Sequence, residues 1–171
     1  MYEVDALDKV VKLESAPKPD IGAPLPFIIS NDLDLVLLYV VSKKDPNWDG
    51  IYVNVVTSIN KDLPIAIVNF LSPHAHIFGP PNDETFAGHP LAERGLKPYS
   101  VSEVIDSSWI RKLGRMNSVH LMHNPESFEE LRHFVFAFHD TTFECVAKSF
   151  KVDIFRGSIR SAVESAMKLL S

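Results

Sequence analysis

With 171 residues, 46% of them apolar and 23% charged, the chain has the size and composition of one ordinary globular domain, which excludes an intrinsically disordered protein. Its net charge of -5 argues against a general nucleic-acid binder or a binder of anionic membranes, since either would show a basic face. The single cysteine, Cys145, excludes an internal disulfide; the acidic, leaderless start and a longest apolar run of only Leu35–Val41 fit a cytoplasmic protein with no membrane span.

Residues 3–13 alternate loosely, as a short edge strand or a frayed helical turn would. The stretch Pro17–Pro26 holds four prolines in ten residues. Proline fixes φ and removes a donor, so 14–26 reads as an extended arm laid on the surface. Leu33–Ser42 is apolar on both alternating sets, which predicts a central strand covered on both sides. Lys43–Gly50 is a polar turn ending in Asp-Gly, and Ile51, Val53 and Val55 predict a second strand. Ile65–Leu71 predicts a third, giving an antiparallel meander. Residues 72–95 then read as a long loop, with one helical turn at Leu91–Arg94 closed by Gly95.

Tyr99–Ile105 predicts a further strand. Asp106 or Ser107 is a natural N-cap for a helix whose Trp109, Ile110, Leu113 and Met116 recur at helical spacing. Asn124-Pro125 opens a shorter helix through Leu131. In His133–Ala147, Phe134, Phe136 and Phe138 share one face of a strand, and His133, Val135, Ala137 and His139 the other. Asp140-Thr141 turns the chain, and Phe143, Cys145 and Ala147 face one way on return. From Gly157-Ser158 a last helix carries Ile159, Ala162, Val163, Ala166, Met167 and Leu170 on one stripe. Together these predict one α+β domain over 1–171: an antiparallel, mostly meandering sheet of six or seven strands, covered by two or three helices.

Candidate chemistry concentrates in Ser72–Leu91, which holds three of the chain's seven histidines. Loops on a rigid scaffold are where sites gather. His74-x-His76 places two imidazoles on one side of an extended segment, a common way to offer metal ligands; His139 is a third candidate. The spacing resembles the opening of a cupin metal motif, although Glu84 lies eight residues beyond His76, across Pro80-Pro81. Ordinary hydrogen-bonded histidines are the plainer alternative. Glu84 beside His89 is a candidate catalytic pair, with Glu84 as general base. Asn82, Asp83, Glu84, His89 and His139 are candidate ligand contacts. Equally, Asn82 can cap a single helical turn whose positive end suits Asp83 and Glu84 and which Gly88 ends. Cys145 alternates with Phe143 and Ala147, as a buried thiol would, rather than a nucleophile. No Gly-x-Ser-x-Gly elbow, phosphate-cradling glycine loop, Rossmann fingerprint or Cys-x-x-Cys pair is present.

The run Phe78–Leu91, with Ser108-Trp-Ile110, His133–Ala147 and Ile21–Pro26, resembles a family of small bacterial proteins with no activity attached to it. The resemblance implies a bacterial-type cytosolic protein and carries over no mechanism and no catalytic residue. The residues therefore point first to a binding or interaction protein whose contact surface is the 72–95 loop and the 133–144 hairpin, taking a small molecule or a protein partner and needing no cofactor. The alternative is a metal-assisted enzyme, hydrolase-like or cupin-like, with a divalent ion on His74 and His76 and Glu84 as base.

Overall fold

The computed structural model describes residues 2–42 and 61–170. The Lys43–Gly50 turn and the strand expected at 51–56 lie outside the described residues. The described strands are β1 (Lys9–Lys12), β2 (Phe27–Ser30), β3 (Leu35–Val40), β4 (Leu63–Gly79), β5 (Val101–Ile105), β6 (Arg132–Ala137) and β7 (Thr142–Gly157). They form one antiparallel sheet in the order β1-β5-β6-β7-β4-β3-β2. Two meanders, β2-β3-β4 and β5-β6-β7, are thus joined along their longest strands, and β1 extends the edge beside β5. The helices are α1 (Ser108–Asn117), α2 (Glu126–Glu129) and α3 (Ile159–Ala166). This is the α+β arrangement that the alternation and the caps predict. No helix among the described residues is long and apolar enough to cross a membrane.

One face of the sheet is packed by its own aromatic rings, and the other is covered by helices and loops. On the aromatic face, Leu35, Leu37, Tyr39, Phe70, Phe134, Phe136, Phe138 and Phe143 are buried together. The Tyr39 and Phe138 rings lie 5.5 Å apart. Three strand spacings separate β3 from β6, about 14 Å in a flat sheet, so the sheet must curve to bring these rings together. The proline-rich arm lies along β3: Tyr39 donates its hydroxyl to Pro17 O at 2.6 Å, and Val40 N–H donates to Pro24 O at 2.7 Å.

The other face has two coverings. At one end α3 packs Ile159, Ala162 and Ala166 on Val36, Leu38, Ile65 and Ile67. Met167, expected on that stripe, is 51% exposed, because the α-helix ends at Ala166 and a tighter turn rotates Met167 outward. At the other end α1, α2, the N-terminal residues and the 80–96 segment cover β5, β6 and the first half of β7. The stretch between α1 and α2 stands clear of this core, with Val119, Leu121 and Met122 at 89%, 100% and 83% exposure.

The predicted loop over 72–95 is corrected in its first third. Residues 72–79 continue β4, pairing with β7 as far as Gly79 opposite Thr142. Proline inside a central strand normally argues against pairing, since it offers no N–H. Here Ser72 takes a left-handed φ of 51° and the register slips between Pro73 and Ala75, so a β-bulge accommodates Pro73.

Gly157 ends β7 where α3 begins. A Cβ there would lie 2.6 Å from the Phe155 ring and 2.9 Å from Ser161 Oγ, the hydroxyl that closes the α3 capping box with Ser158. Gly157→Ala is therefore expected to destabilise the fold by about 1–3 kcal/mol, by crowding and by loosening the cap. Urea unfolding checks this, and an unchanged midpoint would mean that Phe155 and Ser161 shift freely.

Candidate functional site

The alternation that buries the phenylalanines on one face of β6 and β7 sends His133 and Glu144 to the other. Val135 stands opposite Glu144 and His133 opposite Val146, which makes His133 and Glu144 diagonal neighbours. His133 Nε2 lies 3.0 Å from Glu144 Oε2. Tyr2 donates its hydroxyl to the same oxygen, and His89 Nε2 approaches Oε1 at 3.5 Å. On the far side of the His133 ring, Nδ1 lies 2.9 Å from Ser107 Oγ. Tyr2, His89, Ser107, His133 and Glu144 are all buried.

Hydrogen-bond direction fixes the protons. Leu91 N–H donates to His89 Nδ1 at 3.1 Å, so that nitrogen is bare and Nε2 carries the proton toward Glu144. Burial would raise the Glu144 pKa, but hydrogen bonds from His133, His89 and the Tyr2 hydroxyl outweigh it, lowering it from an ordinary 4.5 to about 2. The group is a carboxylate at neutral pH. Burial and that same charge push the Tyr2 phenol up, keeping it a donor. His133 therefore donates from Nε2 to Glu144, and in the neutral ring with that tautomer Nδ1 is the acceptor facing the Ser107 hydroxyl. Aromatic packing holds the ring in place: Tyr2 stacks on Trp109 at 5.2 Å, and the two meet the His133 ring edge-to-face at 5.4 and 5.1 Å. Asp8 ties the N-terminal residues to α1 by accepting Ser108 N–H at 2.8 Å and Asp5 N–H at 2.7 Å.

This buried chain runs between two cavities. Ser107 lines a cleft of about 800 Å³ between β5, α1 and α2, walled by Val104, Ile110, Leu131 and Phe128. Arg111 and Arg115 stand on the α1 side of that cleft. Arg111 pairs with Asp5 at 2.5 Å, and the Arg115 guanidinium has no partner among the described residues. At the other end, Glu144 and His89 line a cavity of about 330 Å³ with Ile77, Thr142 and prolines 80, 81 and 90. Between β5 and Ser107 the single residue Asp106 turns the chain at a left-handed φ of 54°, so Ser107 sits at a sharp strand-to-helix corner.

The residues singled out from sequence fall into separate places. His74 and His76 do not share a side. The bulge turns His74 toward Phe128 of α2, with ring centroids 6.1 Å apart, while His76 lies over Phe143 of the aromatic face at 6.2 Å. Partial burial lowers the His76 pKa. His139 is at the far tip of the hairpin, 3.0 Å from Asp140 and 4.0 Å from Asp83, and these carboxylates raise its pKa. No group of three or more His, Cys, Asp or Glu side chains among the described residues has metal-holding geometry. His74, His76 and His139 thus do not converge, because the period-2 argument fails at a bulge.

Glu84 is exposed, and the carboxylate that meets His89 is Glu144 instead. Asn82 accepts Thr85 N–H at 3.0 Å ahead of the Phe86–Gly88 turn, and Asp83 accepts the Tyr99 hydroxyl. The 80–95 segment and the hairpin do meet, through Asp83 N–H to His139 O at 2.9 Å and Thr142 Oγ1 to Pro81 O at 3.2 Å. Cys145 is fully buried on the aromatic face, and burial pushes its thiol up.

Sequence reasoning missed Tyr2, Asp8, Ser107 and Glu144 as members of a site. Glu144 carries a readable signal, a lone carboxylate among Phe143, Cys145, Val146 and Ala147. Ser107 was legible only as a cap, and Tyr2 and Asp8 arrive by tertiary approach alone. Comparison of the chain with family models, with curated proteins and with solved structures finds no match to any of them.

Proposed function

We propose that the chain is a cytosolic binding protein for a small molecule with an apolar body and an acidic end. The α1/α2 cleft receives the ligand, and His133 and Glu144 of the 133–144 hairpin stand behind Ser107, the residue of the network that reaches this cleft, with His89 of the 80–95 segment on the far side. The observation that carries this reading is the cleft itself. Its volume of about 800 Å³ falls in the range of small-molecule sites, Val104, Ile110, Leu131 and Phe128 give it an apolar part beside charged groups that include Glu103, Asp106, Glu129 and Arg115, and its buried Ser107 is bonded to the His133–Glu144 network. The unpartnered Arg115 supports an acidic end on the ligand. A metal-assisted reaction at His74, His76 and Glu84 gains no support, since these groups point to different surroundings.

Isothermal titration with 1-naphthoate tests the reading. Saturable binding of one molecule per chain is expected, weakened about tenfold in Arg115→Ala, the loss of one charge-assisted contact. Gly114→Leu is expected to block it, because a side chain there grows toward the Phe128 ring, 3.6 Å from the Cβ position. Absence of binding, or binding indifferent to both substitutions, would overturn the proposal.

A further inference from the structure

The network does more than a binding site requires. A helix-capping serine needs only its oxygen, as acceptor of an amide of the first turn. In Ser107 that contact is the weaker one: Ile110 N–H reaches Oγ at 3.4 Å, whereas His133 Nδ1 lies at 2.9 Å. The hydroxyl proton is therefore committed to an imidazole whose other nitrogen donates to a buried carboxylate, 3.0 Å away. Hydroxyl, imidazole and carboxylate in series form the arrangement that activates a serine nucleophile, recognised by geometry and roles whichever ring nitrogen faces the serine. The surroundings agree. Asp106 sets Ser107 on a strand-to-helix corner through its left-handed φ of 54°, a conformation that side chains other than glycine rarely hold. Ser107 is buried yet is one of the residues that line the cleft.

We infer that Ser107 is the nucleophile of an ester-hydrolysing site, with His133 as general base and Glu144 as the acceptor that fixes the imidazole. This rests on the reading of the α1/α2 cleft as the ligand site, and it names an acidic, apolar ester as the substrate class. Ser107 Oγ attacks the ester carbonyl while His133 Nδ1 takes its proton. Collapse of the tetrahedral adduct breaks the bond to the leaving alkoxide, which takes the proton from Nδ1 and departs as an alcohol. A water molecule, deprotonated by Nδ1, then attacks the acyl-serine. The carboxylic acid leaves, and Ser107 Oγ recovers its proton.

A fluorophosphonate probe followed by peptide mass spectrometry tests the nucleophile directly. The wild-type chain should be phosphonylated on Ser107, and His133→Asn should slow this by at least about a hundredfold, the scale of lost general-base assistance. Ser107→Asn is the informative replacement, because asparagine also caps helices. It should melt like the wild type and take up no probe. Wild-type protein that takes up no probe on Ser107, or takes it up equally fast in His133→Asn, would overturn the inference. Titration of 1-naphthoate into Ser107→Asn separates the two readings. Intact binding with an unreactive wild type removes the nucleophile and leaves the cleft ligand. Phosphonylation without naphthoate binding does the reverse.

Discussion

Replacing Glu144 with alanine is expected to remove about 3–5 kcal/mol of stability, the range found when one partner of a buried charged network is deleted. Tyr2 and His89 would keep buried donors with no acceptor, and His133 would lose the partner that fixes its tautomer. Against a typical total of about 5–15 kcal/mol, the variant would lie close to its unfolding threshold at room temperature. Glu144→Gln separates shape from charge. The wild-type carboxyl titrates near 4.5 unfolded and about 2 folded. A depressed folded pKa means stability that is fully present above the unfolded value and is lost as pH falls toward the folded one. The wild type should thus lose on the order of 3 kcal/mol between pH 4.5 and 2 through this group. Glu144→Gln should lack that component. Urea unfolding at several pH values reads both effects, and parallel acid profiles for wild type and Glu144→Gln would show that the buried carboxyl is not the source.

Phe136→Ala is expected to cost about 3–5 kcal/mol by opening a cavity in the aromatic face. Phe136 is fully buried, and its ring meets Tyr39 at 5.9 Å, Phe70 at 6.1 Å, Phe143 at 6.0 Å and Phe150 at 6.4 Å. Those rings come from β3, β4 and β7, so the void would lie among side chains fixed by three other strands of the sheet, which limits collapse around a smaller side chain. Phe136→Leu should recover most of the loss by refilling the volume. Thermal unfolding monitored by near-ultraviolet circular dichroism distinguishes them. A Phe136→Ala protein within 1 kcal/mol of wild type would mean that the aromatic face repacks, contrary to a crowded interior.

The sequence made the fold legible where one periodicity runs without interruption. Leu35–Val40 is apolar on both faces and is buried throughout, as a central strand must be. The β6–β7 hairpin alternates cleanly, and its faces divide as its residues do. β2 escaped because its four residues directly follow Pro26 and resemble the end of the arm. The second half of β4 escaped because Pro73 and two histidines look like loop chemistry, and a bulge leaves no mark in composition. The site was half legible for a related reason. His89 drew attention as a histidine and His133 was read as one residue on a strand face, and the group that unites them is a carboxylate that only a tertiary fold brings to both. Ser107 was read for its role in the local chain, as a cap, while its other partner lies 26 residues away.

The pairing of β4 with β7 sets the pace at which such a site can assemble. Gly79 pairs with Thr142 and Leu63 with Gly157, so the longest ladder in the sheet joins segments far apart along the chain. The hairpin of β6 and β7 closes through a short turn and can form early. β4 must then search for it through a long connecting segment, with the entropy of closing that loop spent before any rung forms. His133 and Glu144 consequently become neighbours with the hairpin, well before His89 can reach them from beyond the end of β4. Until that happens the carboxylate has His133 beside it but lacks the His89 donor. The part of the pKa depression owed to His133 arises with the hairpin, and the part owed to His89 waits for the segment beyond β4, so the carboxyl acquires its acidity in two steps.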